Sequence, residues 1–187
     1  MTLSPWSVPA RGRLSLRLCS ALLLAAAALG LSACEPPGGV SSSPCQPLEG
    51  TVERIIDGDT VELRSGQRVR YLLVDAPELG DTEAQNDCFA GEARDLNRLL
   101  LEGREVRLEY DQGQCTGLFG RLLPYVWLGD RMINEVLLER GYAFVPRDIL
   151  ANRPENHPEP YEQEQRFLHL EAVAQAANRG LWGACQR

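Results

Sequence analysis

The sequence predicts an α+β domain whose core is a small closed β-barrel of the OB type, with five strands and three helices. Short runs rich in β-branched residues follow one another from Gly50 onward, a helical segment stands between the third and fourth runs, and helical segments close the chain. A chain of 187 residues favours one such domain with additional segments, and it contains no internal repeat.

The strands are placed where apolar and polar residues alternate. Ser65-Gly66 provides a hairpin turn between the second and third strands, so the first three strands form a meander. The predicted strands are Thr51–Ile56, Thr60–Leu63, Val69–Val74, Glu105–Tyr110 and Leu122–Trp127.

The helices are placed by apolar residues at helical spacing and by the glycines that end them. The predicted helices are Glu92–Leu101, Ile133–Arg140 and Tyr161–Asn178. The predicted apolar stripe of the last helix contains Phe167, Leu168, Ala172 and Ala176. The stretch between Pro146 and Pro160 is predicted to be irregular.

Residues 1–33 are predicted to be a secretory signal peptide. Arg11, Arg13 and Arg17 precede sixteen residues without charge, which is the layout of such a peptide. A buried helix or a membrane span is the alternative, but the apolar run is short for a bilayer and is followed by the turn-rich EPPGGVSSSPC.

The segment Leu31-Ser32-Ala33-Cys34 resembles a bacterial lipobox. This resemblance implies cleavage before Cys34 and acylation of its thiol and its new amino group, and several acyl chains would hold the protein on a membrane. Residues 34–49 would then be a lipid-anchored flexible tether, residues 50–187 the domain, and the cell envelope its location. Ordinary cleavage, which leaves a free cysteine and a secreted protein, is the alternative.

The remaining cysteines favour two disulfides. Once Cys19 is removed and Cys34 is lipidated, an even number remains, as expected for an exported protein with disulfides. No pair has C-x-x-C spacing, which argues against zinc. The four residues are Cys45, Cys88, Cys115 and Cys185, and their sequence alone leaves three pairings open.

The charge balance argues against tight, non-specific binding of duplex nucleic acid. The chain has no lysine, and removal of residues 1–33 leaves 16 arginines against 26 acidic residues, a net charge of −10. Catalysis on a nucleic acid remains compatible with this balance, because a divalent cation and a few arginines can create a local positive site.

Two acidic motifs form the candidate site. Asp59 begins the second predicted strand and Asp75 ends the third, so a hairpin would bring their carboxylates together. Like charges at short range repel unless a cation lies between them, and such oxygen ligands suit Ca²⁺ or Mg²⁺. The alternative is that Asp-Gly-Asp-Thr and Asp-Ala-Pro-Glu are two ordinary turns.

Three further charged residues would complete a phosphodiesterase site. Glu78 follows Asp75 by three residues and could act as a general base on a water molecule. Arg70 and Arg121 could bind phosphate oxygens and the additional charge of a pentacoordinate transition state.

The order IDGDT, RYLLVDAPE, GEA, FGR, IN, GYA and GLW is similar to the staphylococcal (micrococcal) nuclease or thermonuclease family, nearly from Gly50 to Trp182. The resemblance implies an OB-fold barrel with three helices and a monomer that hydrolyses single-stranded or denatured DNA and RNA with Ca²⁺. It also implies products with 3′-phosphate and 5′-hydroxyl ends.

The resemblance further implies a role for each matching residue. Calcium would be held by Asp59, Asp75 and the backbone carbonyl of Ala76. The catalytic residues would be Arg70, Glu78 and Arg121, and the supporting residues would be Asp57 and Thr60. In this fold the disulfides are expected to join Cys88 to Cys185 and Cys45 to Cys115.

Four positions depart from the family pattern. Leu118 and Phe119 stand where a Lys-Tyr pair often precedes the Gly-Arg, and Arg147 and Ile149 stand where two tyrosines are expected. Phe119 could bind substrate by stacking on a base, but it has no hydroxyl group and no charge. We therefore expect retained chemistry with altered substrate affinity.

Two other functions are compatible with parts of the sequence. A non-catalytic OB-fold lipoprotein that binds nucleic acid would explain the barrel and the anchor. A structural envelope lipoprotein would explain the anchor alone. Neither needs two metal carboxylates, a base and two arginines together, so the enzyme is the favoured hypothesis.

Overall fold

Six strands form one antiparallel sheet in the order β3-β2-β1-β4-β5-β6. The computed structural model describes residues 45–111, 114–153 and 159–185. The strands are β1 (Glu49–Ile55), β2 (Thr60–Leu63), β3 (Arg68–Arg70), β4 (Glu105–Glu109), β5 (Tyr125–Leu128) and β6 (Arg131–Met132). The predicted α+β class is confirmed, with one more strand than expected.

The hydrogen-bonded sheet does not close into the predicted barrel, since β3 and β6 remain at its two ends. The β3 edge instead meets the segment before β5 through a parallel bridge between Val69 and Leu122. The Arg70 amide donates to the Leu122 carbonyl at 2.9 Å, and the Leu122 amide donates to the Arg68 carbonyl at 2.9 Å. The backbones that carry Arg70 and Arg121 therefore run side by side.

The third and fifth predicted strands begin or end several residues away from their predicted bounds, for local reasons. β3 ends at Arg70 instead of Val74, and Leu73 has a φ of 57°, in the left-handed region that a strand cannot contain. β5 begins at Tyr125 instead of Leu122, directly after Pro124, which has no amide hydrogen to donate to a ladder.

The helices are α1 (Ala90–Leu101), α2 (Ile133–Arg140), α3 (Arg147–Ala151), α4 (Glu164–Ala176) and α5 (Leu181–Ala184). The bounds of α2 are those predicted, and it ends at Gly141, whose φ is 72°. The expectation of an irregular stretch after Pro146 was wrong for α3, and the short α5 was not predicted. Within the described residues, none of the helices has the length and apolar character needed to cross a membrane.

The apolar stripe predicted for α4 was right for Phe167, which is buried, and for Leu168, which packs against the core, but wrong for Ala172 and Ala176. Its buried residues are Glu164, Phe167, Glu171 and Ala174, whereas Ala172 and Ala176 are exposed. Two acids can be buried here because each contacts a guanidinium: Glu164 lies 2.5 Å from Arg153, and Glu171 pairs with Arg147. Which face of α4 is buried therefore depends on ion pairs with arginines outside the helix. The helical spacing of apolar residues does not reveal these pairs.

The core lies between the sheet and the packed faces of α1, α2 and α4. Tyr125 and Phe167 meet edge to face with ring centroids 5.8 Å apart. Two disulfides connect the outer segments, Cys45–Cys115 and Cys88–Cys185. These are the two pairs that the family resemblance implies. Cys34 and the expected signal peptide lie outside the described residues.

Candidate active site

The β2–β3 hairpin places the two acidic motifs together. Thr60 is the register partner of Arg70, so the start of β2 lies beside the end of β3. The Tyr71 amide continues this pairing by donating to the Asp59 carbonyl at 2.9 Å. The chain then turns through Leu73 and reaches Asp75, whose amide and carbonyl both bond to Phe144 at 2.9 Å. The predicted convergence of Asp59 and Asp75 is present in the structure.

One guanidinium joins the two carboxylates. Arg70 contacts Oδ1 of Asp59 with one terminal nitrogen and Oδ1 of Asp75 with the other, the latter at 2.5 Å. Asp59 is 1% exposed, and its other oxygen accepts from the Ala76 amide at 2.6 Å. Thr60 donates its hydroxyl to Oδ1 of Asp59 at 3.0 Å. A buried charge requires such partners, and here they link both motifs into one cluster.

The turn before Asp59 is held from three sides. Oδ1 of Asp57 accepts from the Asp59 amide at 2.9 Å, and the Asp57 carbonyl accepts from the Asn97 side chain at 3.0 Å. At Gly58, a Cβ would lie 2.5 Å from the Cβ of Ala76 and 2.8 Å from that of Ala93. Only glycine therefore allows this turn to pack between α1 and the Asp75 motif.

Glu78 lies at the exposed end of this cluster, on a loop fixed by Asp87. The Glu78 amide donates to Oδ2 of Asp87 at 3.1 Å, and the Asp87 amide donates to the Glu78 carbonyl at 2.9 Å. Asp87 directly precedes Cys88 of the second disulfide. The backbone position of Glu78 is thus tied to α1 and to the end of the chain.

The electrostatics at the cluster are dominated by burial and by the crowding of acids. Burial raises the pKa of the Asp57 carboxyl above its ordinary value, and the charges of Arg70 and Arg121 partly oppose this shift. Burial also raises the pKa of Glu78, next to the negative charge of Asp57, while Arg70 lowers it. A carboxylate with a raised pKa is a stronger base, which is the property that proton abstraction from water requires.

The oxygen ligands partly fit a hard divalent cation. Two carboxylates from different loops face one position, which the Arg70 guanidinium now contacts, and such oxygens suit Ca²⁺. Among the residues that the structure describes, no group of three or more His, Cys, Asp or Glu residues could hold a metal ion. A cation here would therefore have to complete its shell with backbone oxygen or water, as the expected role of Ala76 requires.

Arg121 and Arg70, whose backbones run side by side, line the same cleft. This space, the inner cleft, has a volume of about 500 Å³ and is bordered by Arg70, Leu118, Arg121, Ile149, Asn152 and Tyr161, among others. The Nε of Arg121 is buried and has no hydrogen-bond partner among the described residues. None of the described residues that line the cleft is acidic. The cleft is therefore suited to an anion.

The departures from the family pattern fall on two sides of the site. Leu118 and Ile149 line the inner cleft, whereas Phe119 does not and instead faces a separate groove. Arg147 is held by Glu171 and by the Val145 carbonyl, at 3.0 Å, on the far side of Asp75. The inner cleft thus has apolar walls where polar side chains were expected.

Two buried asparagines that the sequence prediction missed support the site. Asn97 also accepts from the Tyr71 hydroxyl at 2.8 Å, which ties α1 to the residue that follows β3. Asn134 accepts from the Val126 amide and donates to the Leu72 carbonyl, both at 2.9 Å. Each asparagine stands at a buried position of a predicted helix. A polar residue on the apolar face of a helix is the one sequence feature that could have identified these two residues.

Comparisons with known proteins identify the family of the chain. Residues 68–184 match the family described as "Staphylococcal nuclease homologue". The chain is 34% identical over 134 residues to a thermonuclease of Staphylococcus hyicus, which covers 70% of this chain and 73% of that protein. It is 39% identical over 101 residues to endonuclease YncB of Bacillus subtilis, covering 51% of this chain and 46% of that protein. The chain belongs to the staphylococcal nuclease family.

Proposed function

We propose that this chain is an exported, calcium-dependent nuclease that hydrolyses phosphodiester bonds of DNA and RNA and leaves 3′-phosphate and 5′-hydroxyl ends. The observation that carries the proposal is the cluster in which Arg70 joins Asp59 to Asp75 beside an acid-free cleft lined by Arg121. The thermonuclease and endonuclease relatives support the nuclease activity.

The two arginines bind the phosphate. A phosphodiester in the inner cleft would accept hydrogen bonds from Arg121, whose Nε has no partner among the described residues, and from Arg70, which lines the same cleft. Entry of the phosphate would compete with the carboxylates for the Arg70 guanidinium. Both cations would bind more strongly to the pentacoordinate transition state, because it carries more negative charge than the ground state.

Glu78 is the proposed general base. It takes a proton from the attacking water while the water oxygen bonds to phosphorus and the bond from phosphorus to the 5′ oxygen breaks. Its raised pKa and its position at the open end of the cluster support this role. The 5′ oxygen takes a proton from solvent water and leaves as a hydroxyl, which agrees with the proposed product ends.

Asp59 and Asp75, with the Ala76 carbonyl, are the proposed holders of calcium. The ion would supply a Lewis acid for the phosphoryl oxygen and a position for water. Asp57 and Thr60 would support these ligands: Thr60 donates to Asp59, and Asp57 fixes the Asp59 amide. Export and the lipid anchor at Cys34 are proposed on the sequence pattern of residues 1–34.

Cleavage of denatured DNA and of RNA by the purified protein, with Ca²⁺ or with chelator, tests the proposal. We expect cleavage only with Ca²⁺, and products that a polynucleotide kinase labels without prior phosphatase treatment, because their 5′ ends are hydroxyls. Asp75→Asn should abolish cleavage, whereas Asp81→Asn, a change of an exposed acid on the next loop, should not. Undiminished cleavage in chelator would show that the metal assignment is wrong.

A further inference from the structure

A second groove borders the site on the outer side of Arg121. It has a volume of about 480 Å³, which is in the range of small-molecule pockets. We call it the outer groove, and it is lined by Gly66, Gln67, Arg68, Phe119, Gly120, Arg121 and Leu122. One wall is the β2–β3 hairpin and the other is the Phe119 turn, joined by the hydrogen bond from the Leu122 amide to the Arg68 carbonyl.

The outer groove is positive on an acidic protein. The whole chain has a net charge of −7, yet two of the described lining residues are arginines and none is acidic. The Arg68 side chain is 58% exposed, and its nearest carboxylate, Glu62, lies 3.8 Å away. That carboxylate is closer to Arg54, at 2.9 Å, so Glu62 neutralises the charge of Arg68 only in part. Such a local field favours an anionic ligand.

Phe119 presents a bare aromatic ring to this groove. It is 94% exposed, and its φ of 61° is followed by a φ of 68° at Gly120. A bulky residue in the left-handed region is strained, and burial of the ring does not offset that strain here. The ring centroid lies 6.0 Å from the Arg121 guanidinium carbon. An exposed aromatic ring next to cations is the arrangement on which unpaired bases stack.

Arg121 lines both the inner cleft and the outer groove, so a strand bound in one space lies next to the other at this side chain. We infer that the outer groove is a second nucleotide subsite for single-stranded DNA or RNA, in which Phe119 stacks on a base and Arg68 binds the adjoining phosphate. This inference rests on the proposed function, since the scissile phosphate lies in the inner cleft. The subsite requires an unpaired base, because the Phe119 ring can stack only on a base whose face is not covered by its neighbours in a duplex.

The test is binding of short, labelled oligothymidylate to the purified full-length protein in chelator, measured by fluorescence anisotropy at several salt concentrations. Phe119→Ala should weaken binding by about 5- to 150-fold, the equivalent of one lost base stack. Arg68→Gln should weaken binding and reduce the salt slope by about 0.7, the value for one phosphate contact on a single strand. In both variants the affinity advantage of the oligonucleotide over thymidine monophosphate should shrink.

Arg64→Gln is the matched control. Arg64 lies on the same hairpin, is 69% exposed and pairs with Glu53 at 3.1 Å, but it does not line either space. If the Arg64, Arg68 and Phe119 variants bind the oligonucleotide equally well, the inference is overturned. If the unmutated protein still cleaves nucleic acid, the proposed function is not affected by that result. A Phe119→Ala variant that loses only its binding to phosphatidylglycerol vesicles would identify the turn as a membrane contact and also overturn it. Absence of any cleavage by the unmutated protein rejects the proposed function itself.

Discussion

We expect the Cys45→Ser/Cys115→Ser variant and the Cys88→Ser/Cys185→Ser variant to lose similar stability but to differ in kinetics. Each double substitution removes one disulfide and leaves neither of its two cysteines as an unpaired thiol. The two bridges close segments of 70 and 97 residues. In the chain-entropy model the stabilisation by a disulfide depends only weakly on loop length. The model gives upper values of about 4.4 and about 4.7 kcal/mol for the free energy of unfolding that these two bridges contribute.

The kinetic difference follows from what each bridge holds. Cys115 precedes the turn that carries Phe119 and Arg121, and its carbonyl accepts from the Leu123 amide at 3.1 Å. Loss of the Cys45–Cys115 bridge should therefore loosen the walls of the inner cleft and raise KM. Cys88 follows Asp87, which fixes the backbone of Glu78. Loss of the Cys88–Cys185 bridge should instead lower kcat, because the proposed base is less well placed.

Thermal unfolding measures the stability losses, and steady-state kinetics on single-stranded DNA, at a temperature well below the lowest Tm, measures KM and kcat. The stability losses of the two variants should agree within about 1 kcal/mol, since the entropy difference between the loops is only about 0.3 kcal/mol. Peptide mapping without reduction must first show both bridges in the unmutated protein. A linked Cys45–Cys88 pair, or identical changes of KM and kcat in the two variants, would refute the reasoning.

Three further predictions address single residues. Arg121→Ala and Glu78→Gln should each lower kcat by about 10²-fold or more with unchanged Tm, because these groups act on the transition state; a near-normal rate would remove the role of that residue. Asn97→Ala should cost about 2 to 4 kcal/mol in denaturant unfolding, because the buried Asp57 carbonyl and the Tyr71 hydroxyl both lose a partner. Cys34→Ser should release the protein from the membrane fraction or leave it unprocessed, and a wholly soluble unmutated protein would reject the anchor.

Local patterns were sufficient for the parts of the fold that depend on short-range chemistry. The β2–β3 hairpin has its turn residues and its alternation within a dozen positions, and its register sets Thr60 beside Arg70. Helix α2 was predicted to the residue because Gly141 ends it. In these cases the determining interactions lie close together in the chain, so a sequence pattern contains them.

The features that the sequence did not reveal depend on contacts between distant segments. The buried face of α4 contains Glu164 and Glu171 only because Arg153 and Arg147 reach them. The direction of Phe119 depends on two successive left-handed residues, and a sequence shows the glycine but not the residue before it. For the same reason the sequence did not show that Phe119 lies in the outer groove beside Arg68.

The distribution of arginines explains how an acidic chain without lysine could act on a polyanion. Arg70, Arg147 and Arg153 neutralise buried or half-buried acids, and these pairs contribute little field outside the protein. Arg121 and Arg68 border spaces that no described acid lines. Binding would then depend on few phosphate contacts, and its salt slope should be correspondingly shallow, at about −0.7 per contact on a single strand. A steep slope would show that cations outside these two spaces hold the substrate.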